Sequence, residues 1–413
     1  MKAYIISIGD EILIGQIINT NAAWIARQLN SIGIMVERIL SVADTKEAIE
    51  KALAESMQHS NVVLITGGLG PTSDDITKPV LYKFFDSKPL FHQPTYEHVE
   101  TLLKVRGVGM NELNRQQAII ADNCEIINNV CGTAPGMWFE KENTIFVAMP
   151  GVPFEMEKMM EEIILPKITQ KYSLPAIVHR TIMTTGIAES TLALLIEQWE
   201  KQLPAHIRLA YLPSPGIVKL RLSATDKDKA GIEKEIEQQI MLLKQIAGKY
   251  IFSEQEQSID FVVAELLKKK KQTLSLAESC TGGSIAQILT SKEGSSAYFM
   301  GGVVAYSNQV KIEQLNVPKA IIEQHGAVSQ ATVEAMATNA RKIFKTDYSI
   351  AVSGIAGPSG GTPEKPVGTV WIAVAHPHGV VSQLFTTGEH RGRNITRAVI
   401  NALNMLYKLV IQA

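Results

Sequence analysis

Short, continuous apolar runs rich in β-branched residues mark the first part of the chain. The clearest lie at residues 4–8, 62–65 and 145–148, and a helical pattern follows the first run near residues 22–29. Strands that are buried on both faces of a parallel sheet show such runs instead of strict alternation. Polar or glycine-rich residues follow each run. The pattern predicts a doubly wound α/β domain over residues 1–170.

The pattern changes in the middle of the chain. Residues 178–184 and 217–224 alternate as strands do, and residues 189–198 and 232–246 have helical periodicity. These elements predict a small α+β module over residues 171–252, which we interpret as a linking or dimerisation module.

After a polar linker at residues 253–258 the α/β pattern starts again. A helical stretch to residue 270 is followed by apolar strands, and these end near residues 277, 306, 352 and 374. The pattern predicts a C-terminal α/β domain over residues 253–413. The predicted fold class is therefore α/β, with a doubly wound first domain, a small α+β module and a second α/β domain.

Composition excludes several classes of protein. The 413 residues contain 40 Lys and Arg against 41 Asp and Glu, a balance that gives no electrostatic case for a nucleic-acid or anionic-membrane partner. No apolar run reaches the ~18 residues that a membrane span needs. Three cysteines exclude a disulfide framework and fit a reducing compartment. We expect a cytoplasmic protein that binds neither nucleic acid nor membrane.

The most informative motif is Ala-Glu-Ser-Cys-Thr-Gly-Gly at residues 277–283. It places Ser279 on a predicted strand-to-helix turn, with Thr281, Gly282 and Gly283 opening the helix. The free N–H groups of a helix N-terminus can hold a phosphate or an oxyanion beside a hydroxyl nucleophile. In the alternative interpretation, Ser279 or Thr281 only caps the helix and the glycines only turn the chain.

A second glycine-rich loop, at residues 353–361, follows another apolar strand and favours a functional site. Its Ser353, Gly354 and Gly357 are candidate substrate-binding residues. Arg393 and Arg397 lie four residues apart on a predicted helix and so share one face, where they are candidates to bind a phosphate.

A serine nucleophile needs a base, and no histidine of this domain has triad spacing. A lysine can serve, because burial lowers the pKa of its amine. Lys311 is the candidate by position, since it and Tyr306 follow a predicted strand closely. An exposed, unreactive lysine is the alternative, and Cys280 is a competing nucleophile.

The turns after the N-terminal apolar runs carry a second candidate site. Ligands of open parallel sheets bind at the carboxyl ends of the strands, where these turns lie. Glycine N–H groups can cradle phosphates, and paired carboxylates can bind a divalent metal. In the alternative interpretation, the Asp74–Asp75 pair only caps a helix that begins near Ile76. The candidate residues are Asp10, Glu11, Thr66, Gly67, Gly68, Gly70, Thr72, Asp74 and Asp75, with Asp74 and Asp75 as candidate metal ligands.

Together these motifs resemble the competence/damage-inducible CinA family over essentially the whole chain. Gly9-Asp-Glu-Ile-Leu-x-Gly15, the segments 66–75 and 150–155, and the C-terminal segments carry the resemblance. The latter are residues 277–283, 305–308, 325–329, 353–358 and 364–369. The N-terminal motifs are similar to a molybdopterin-binding-like domain and the C-terminal motifs to an amidase domain.

The resemblance implies an activity for each end of the chain. The C-terminal domain is expected to hydrolyse the amide of nicotinamide mononucleotide without a cofactor, using Ser279 and Lys311 with Tyr306 assisting. The N-terminal domain is expected to cleave ADP-ribose with a divalent metal (Mg, Mn or Co). Both steps belong to pyridine-nucleotide recycling, and the resemblance further implies a homodimer.

Two points qualify this expectation. The family often has Gly-Asp-Arg before its last helix, whereas this chain has Arg391-Gly392-Arg393-Asn394. The acidic residue is missing here, which weakens the case that Arg393 binds the phosphate. For the N-terminal domain the alternative is a non-catalytic pterin- or nucleotide-binding module in a competence or damage-response protein.

Overall fold

The computed structural model describes residues 1–72 and 75–412. These form two compact units, residues 1–178 with 224–233, and residues 179–223 with the chain from 234 onward. None of the described helices combines the length and the apolar composition that crossing a bilayer requires.

The N-terminal part alternates strands and helices. Its strands are β1 Lys2–Ile8, β2 Met35–Val42, β3 Val62–Thr66, β4 Pro89–Phe91, β5 Ile119–Ala121, β6 Glu125–Ile127, β7 Gly136–Lys141 and β8 Thr144–Met149. Its helices are α1 Asp10–Leu13, α2 Thr20–Ser31, α3 Lys46–His59, α4 Thr77–Phe84, α5 Gln93–Val105, α6 Glu112–Gln116, α7 Pro153–Met159 and α8 Leu165–Lys171, with a π-helical turn at Met160–Ile164.

The main N-terminal sheet has the order β2-β1-β3-β8-β7-β6, and its first four strands are parallel. Side chains alternate between its two faces. Ile5 and Leu64 pack on one face with α2, while Ile6 and Ile65 pack on the other with α3. The predicted doubly wound arrangement is confirmed, and the carboxyl ends of the predicted strands β1, β3 and β8 meet at one edge.

The middle module is α+β, as predicted. It contains β9 Ala176–Thr185, α9 Glu189–Lys201, β10 Arg208–Ser214, β11 Ile217–Asp226, α10 Lys229–Ala247 and β12 Ile251–Ser253, with a 3-10 turn at Gly248–Tyr250. Its strands form a sheet in the order β10-β11-β9-β12.

The C-terminal part is a second α/β arrangement of strands and helices. It contains α11 Ile259–Lys270, β13 Leu274–Glu278, α12 Ser284–Thr290, β14 Phe299–Val304, α13 Asn308–Glu313, α14 Lys319–His325, α15 Gln330–Phe344, β15 Tyr348–Gly354, β16 Thr369–His376, β17 Gly379–Thr386 and α16 Arg391–Gln412, with a 3-10 turn at Ser295–Ala297.

The C-terminal sheet has the order β14-β13-β15-β16-β17, in which β13 is parallel to both of its neighbours. Leu276 and Ile350 on one face pack with α11 and α16, and Ala277 and Ala351 on the other pack with α15. The alanines leave room for α15 to approach the sheet closely. Because β13 lies between β14 and β15 and is parallel to both, the carboxyl ends of these three strands lie side by side.

Truncation of Leu64 tests the packing of the N-terminal sheet. Leu64 is fully buried, so Leu64→Ala should lower the free energy of unfolding of this part by about 2–5 kcal/mol through lost burial and a cavity. A urea titration followed by circular dichroism measures the change. Leu90→Ala, at a half-exposed leucine of β4, is the control and should stay within about 0.5 kcal/mol. Equal effects of the two changes would contradict the assigned core.

Candidate functional site

Ser279 and Lys311 lie in contact at the end of β13. Ser279 is the first residue after the strand, and its N–H donates to Val352 O of β15 at 2.9 Å. Lys311 lies on α13, whose first turn is capped by the hydroxyl of Ser307. Lys311 Nζ donates to Ser279 Oγ at 3.1 Å and to Ala305 O at 2.7 Å. The structure therefore brings together a hydroxyl and an amine that lie far apart in sequence.

Burial sets the state of this amine. Lys311 is 1 % exposed, and among the described residues no carboxylate forms an ion pair with it. Burial lowers the pKa of the Lys311 amine, and the nearby Cys280 thiol opposes this shift more weakly. Desolvation penalises the charged form of a lysine. The amine is thus biased toward the neutral state in which it can accept a proton.

A cavity of about 230 Å³ opens beside this pair. We call it the C-terminal cavity. It is lined by Ser279, Cys280, Tyr306, Asn308, Lys311, Ala327, Val328, Ser353, Gly354, Ala356 and Arg391. Ser353 Oγ donates to Ala327 O at 2.7 Å and so ties the end of β15 to the loop after α14. Two cationic side chains and no acidic one face this space within the described part of the chain.

Five of the predicted C-terminal residues line this cavity and six do not. Ser279, Lys311, Tyr306, Ser353 and Gly354 are in its lining. The six outside the lining are Thr281, Gly282, Gly283, Gly357, Arg393 and Arg397.

The N-terminus of α12 is not free to hold an anion, contrary to the expectation from the Gly-Gly motif. The N–H of Gly283 donates to the carboxylate of Glu278 at 3.1 Å, and so do those of Ile285 at 3.1 Å and Ala286 at 2.8 Å. The N–H of Gly282 donates to Ser279 O. An internal carboxylate thus occupies the position that a substrate phosphate or oxyanion was expected to take.

Arg391 lies in the cavity where Arg393 was expected. Its Nη1 donates to Gly357 O at 2.9 Å and its Nη2 to the hydroxyl of Tyr306 at 3.4 Å. Arg397 instead donates to Thr387 O. Spacing along a helix favoured Arg393 and Arg397 as a pair, but the first residue of α16 is the one that reaches the site. Asn308 and the 327–328 loop were also missed, although both lie within motifs that were recognised.

Cys280 is placed as the weaker of the two candidate nucleophiles. It is 8 % exposed, and burial raises the pKa of its thiol to about 12. The thiolate is the reactive form of cysteine. At neutral pH this thiol is therefore almost entirely protonated, whereas Ser279 has a buried amine within hydrogen-bond distance.

A second cavity, of about 460 Å³, lies at the carboxyl edge of the N-terminal sheet. We call it the N-terminal cavity. Asn21 joins two of its walls by donating to Gly151 O at 2.8 Å and to Thr66 Oγ1 at 3.2 Å. Gly67 has a φ of 111°, and a Cβ there would lie 2.1 Å from Ile8 O. Only glycine fits this close approach of β3 to β1.

Most of the predicted N-terminal residues line this cavity. Those in the lining are Glu11, Thr66, Gly67, Gly68, Gly70 and Asp75. Asp10 lies outside it and its N–H donates to the Asp44 carboxylate at 3.0 Å. Thr72 also lies outside and donates to Asp75 Oδ2 through its N–H and its hydroxyl. Asp74 lies outside the described residues.

Two details differ from the predicted phosphate cradle and helix cap. The N–H of Gly67 donates to Met149 O at 3.1 Å and is used in joining β3 to β8. Helix α4 begins after Ile76 with no side-chain cap, so among the described residues Asp75 does not act as the cap of the alternative interpretation.

The N-terminal cavity is acidic. Its described lining contains Glu11, Asp44, Asp75 and Glu155 and no basic side chain. Carboxylate oxygens are the donors that Mg²⁺ and similar ions prefer, so the kind of donor fits a divalent cation. Within residues 1–72 and 75–412, however, no three metal-ligating side chains converge on one point. Asp44 was missed because it follows β2, a strand whose half-exposed residues give no continuous apolar run.

Models of known domain families match three successive stretches of the chain. Residues 4–170 match a probable molybdopterin binding domain, residues 179–253 match the damage-inducible protein CinA KH domain, and residues 256–410 match the CinA C-terminal domain. The middle module is thus KH-like.

Similar proteins extend over the whole chain. A CinA-like protein of Cytophaga hutchinsonii is 44% identical over 404 residues, which is 98% of this chain and 97% of that protein. One of Flavobacterium psychrophilum is 45% identical over 414 residues, which is 100% of this chain and 99% of that protein. Among solved structures, a competence-damaged protein (CinA) superfamily protein of Klebsiella pneumoniae is 32% identical. The match covers 38% of this chain and 100% of the Klebsiella chain, with a TM-score of 0.37. The matched models and the full-length relatives confirm the resemblance read from the motifs, and the chain belongs to the CinA family.

Proposed function

We propose that the C-terminal cavity hydrolyses the carboxamide of nicotinamide mononucleotide to nicotinate mononucleotide and ammonia. The observation that carries this proposal is the 3.1 Å contact between Ser279 Oγ and the buried Lys311 Nζ. A neutral amine held against a hydroxyl is the arrangement that activates a serine without a histidine. The family resemblance supplies the substrate.

The reaction follows from this contact in two halves. Neutral Lys311 accepts the hydroxyl proton as Ser279 Oγ forms a bond to the carboxamide carbon. The C–N bond then breaks, and the lysine proton passes to the leaving nitrogen, which departs as ammonia. Water then attacks the resulting ester and gives a proton to Lys311. The bond between the acyl carbon and Ser279 Oγ breaks, Lys311 returns the proton to Oγ, and the acid is released. Ala305 O holds the amine in place through both halves.

The oxyanion of each tetrahedral intermediate needs donors from the turn after Ser279. The N–H groups of Ser279, Gly282 and Gly283 already have acceptors within the protein. Among the described residues, the N–H of Cys280 donates to no backbone acceptor, and because Cys280 lines the cavity we assign this N–H to the oxyanion. Preorganised N–H donors of this kind stabilise the charge that develops in acyl transfer.

We assign the 5′-phosphate to Arg391 and the mouth of the cavity to Tyr306. Among the described residues, Arg391 is the cationic side chain that lines the cavity besides Lys311, and guanidinium binds phosphate through two parallel hydrogen bonds. Tyr306 is 61 % exposed and its hydroxyl accepts from Arg391. Through that bond it holds the guanidinium at the cavity mouth and supports the reaction.

Replacement of the pair tests the mechanism. Ser279→Ala and Lys311→Arg should each lower ammonia release from nicotinamide mononucleotide by more than about 10³-fold, because nucleophile and base act as a unit. Cys280→Ala should keep turnover within about 10-fold, since its protonated thiol attacks nothing. A coupled ammonia assay with EDTA present measures all three.

The pH dependence follows from the same assignment. The base works only when Lys311 is neutral, so kcat should rise with pH through the pKa of that amine. Because burial lowers this pKa, the rising limb of the pH profile should lie below the ordinary pKa of a lysine side chain.

The substitutions also give results that would contradict the mechanism. These are activity that persists in Ser279→Ala, or activity that is lost in Cys280→Ala.

Arg391 and Arg393 form a matched pair for testing phosphate recognition. Arg391→Ala should raise KM for nicotinamide mononucleotide by about 10-fold or more, as loss of a charge-assisted contact does. The same change should leave the hydrolysis of nicotinamide riboside, which has no phosphate, nearly unchanged. Arg393→Ala, at an exposed residue outside the cavity, is the control. An effect of Arg393→Ala equal to that of Arg391→Ala would contradict the assignment.

We further propose that the N-terminal cavity hydrolyses the diphosphate of ADP-ribose with one water molecule, giving AMP and ribose 5-phosphate, in the presence of a divalent metal. Glu11, Asp44, Asp75 and Glu155 supply hard oxygen donors toward the cavity. Such a cation, when bound, neutralises the diphosphate and polarises its P–O bonds. Asp75 is positioned by Thr72, and Gly68 and Gly70 line the space where the diphosphate would lie. An acidic lining makes the cation necessary, because bare carboxylates repel a diphosphate.

The alternative for this cavity is binding of a pterin or nucleotide without catalysis. Both functions use the same glycine-rich edge, so geometry alone favours neither. The acidic lining favours a ligand that arrives with a cation, and release of AMP separates catalysis from binding.

Asp75→Asn tests the N-terminal proposal while conserving size and the acceptor for Thr72. It should lower metal-dependent AMP release from ADP-ribose at least about 10-fold and leave ammonia release from nicotinamide mononucleotide unchanged. Ser279→Ala should show the reverse pattern. Asp86→Asn, at an exposed carboxylate of the same domain, is the control. Metal-dependent binding of ADP-ribose without AMP release by the unmodified protein would favour the binding module instead.

A further inference from the structure

Glu278 is a buried carboxylate that the proposed mechanism does not use. It is the last residue of β13, lies directly before Ser279, and is 1 % exposed. Among the described residues no lysine, arginine or histidine forms an ion pair with it. A buried charge is costly unless it is hydrogen-bonded, so its partners must be sought in the backbone.

Those partners are three N–H groups at the start of α12, one of them from the residue before the helix. Glu278 Oε2 accepts from Gly283 and Ile285 at 3.1 Å each, and Oε1 accepts from Ala286 at 2.8 Å. Both oxygens are used as acceptors, and the positive end of the helix faces the carboxylate. The side chain therefore closes the short backbone loop that contains Ser279, because it links Glu278 at the start of that loop to Gly283 at its end.

The backbone of the same residue reaches the other member of the pair. Glu278 O accepts from the N–H of Ala305 at 2.7 Å. Ala305 O in turn accepts from Lys311 Nζ at 2.7 Å. Glu278 therefore supports both members of the pair. Its side chain fixes the loop that carries the Ser279 hydroxyl. Its main-chain carbonyl fixes Ala305, whose own carbonyl holds the Lys311 amine.

We propose that Glu278 is a positioning residue that holds Ser279 Oγ within reach of Lys311 Nζ by binding the N-terminus of α12. This role rests on the proposed amidase function of the pair. It does not depend on which amide is the substrate. Glu278 acts through the loop and touches neither substrate nor the reacting atoms.

The carboxylate can be distinguished from a merely space-filling side chain. Gln in its place keeps the size but supplies one acceptor oxygen and an NH₂ group, which would face N–H donors. Asp keeps two acceptor oxygens on a stem one methylene shorter. Asp347 offers a matched control at the other end of β13, where its carboxylate accepts from the N–H and hydroxyl of Thr273 at 2.7 and 2.9 Å.

The test uses the full chain and two readouts. The first is kcat and KM for nicotinamide mononucleotide. The second is the rate at which a small sulfonyl fluoride labels Ser279, followed by peptide mass spectrometry, which reports the hydroxyl–amine geometry without substrate. Glu278→Gln should lower kcat and the labelling rate together by about 10²-fold, as a small misplacement of reacting groups does, with KM little changed. Glu278→Asp should recover part of both, and Asp347→Asn should leave both within about two-fold.

Several results would overturn the proposal. Labelling of Glu278→Gln at the unmodified rate, with or without a loss of turnover, would show that Glu278 does not set the Ser279–Lys311 geometry. Equal losses in Glu278→Asp and Glu278→Gln would show that the acceptor oxygens do not matter. If Glu278→Gln fails to fold, the labelling rate of Glu278→Asp against Asp347→Asn decides in the same way.

The two proposals fail separately. An unmodified protein whose Ser279 is labelled but which releases no ammonia from nicotinamide mononucleotide refutes the substrate and leaves the Glu278 comparison valid. An unmodified protein whose Ser279 is not labelled refutes both, because the hydroxyl would then not be activated.

Discussion

The C-terminal site depends on one constraint, the burial of Lys311 without an acidic partner among the described residues. An ammonium group removed from water costs several kcal/mol even after local relaxation, and a neutral amine avoids that cost. The amine still needs hydrogen-bond partners, which Ala305 O and Ser279 Oγ provide. The short helix α13, its Ser307 cap and the end of β14 hold this amine at the cavity wall and almost entirely out of bulk solvent.

Much of the fold could be predicted because buried parallel strands have a simple pattern. The apolar run at residues 62–65 became β3 Val62–Thr66, and that at residues 145–148 became β8 Thr144–Met149. Several strands at sheet edges were missed, although the edge strand β14 was predicted in part. In β17 and β10 every other residue or more faces solvent, so their apolar content resembles that of a loop. The polar stretch 307–311 gave no helical periodicity, yet Ser307 caps a helix of six residues there.

The site was predictable as far as motifs name residues, and no further. The strand-to-helix turn made Ser279 a candidate and the position after a strand made Lys311 one, but the family resemblance was needed to pair them. The choice of Arg391 over Arg393 was not predictable, since it depends on where the first turn of α16 points. The binding of the Glu278 carboxylate to the N-terminus of α12 was not predictable either, because the sequence does not show that a side chain of the protein itself accepts from these N–H groups. In the N-terminal cavity, Asp44 follows a strand that was itself not predicted.

Arg391, the first residue of α16, links the C-terminal cavity to the packing of that helix. The same helix buries Leu403 and Leu406 in the core on one face of the C-terminal sheet. The helix that supplies Arg391 to the cavity is therefore also part of the core. A substitution that shifts α16 on the sheet would move the guanidinium as well, so the shape of the cavity and the stability of this half of the protein depend on the same helix.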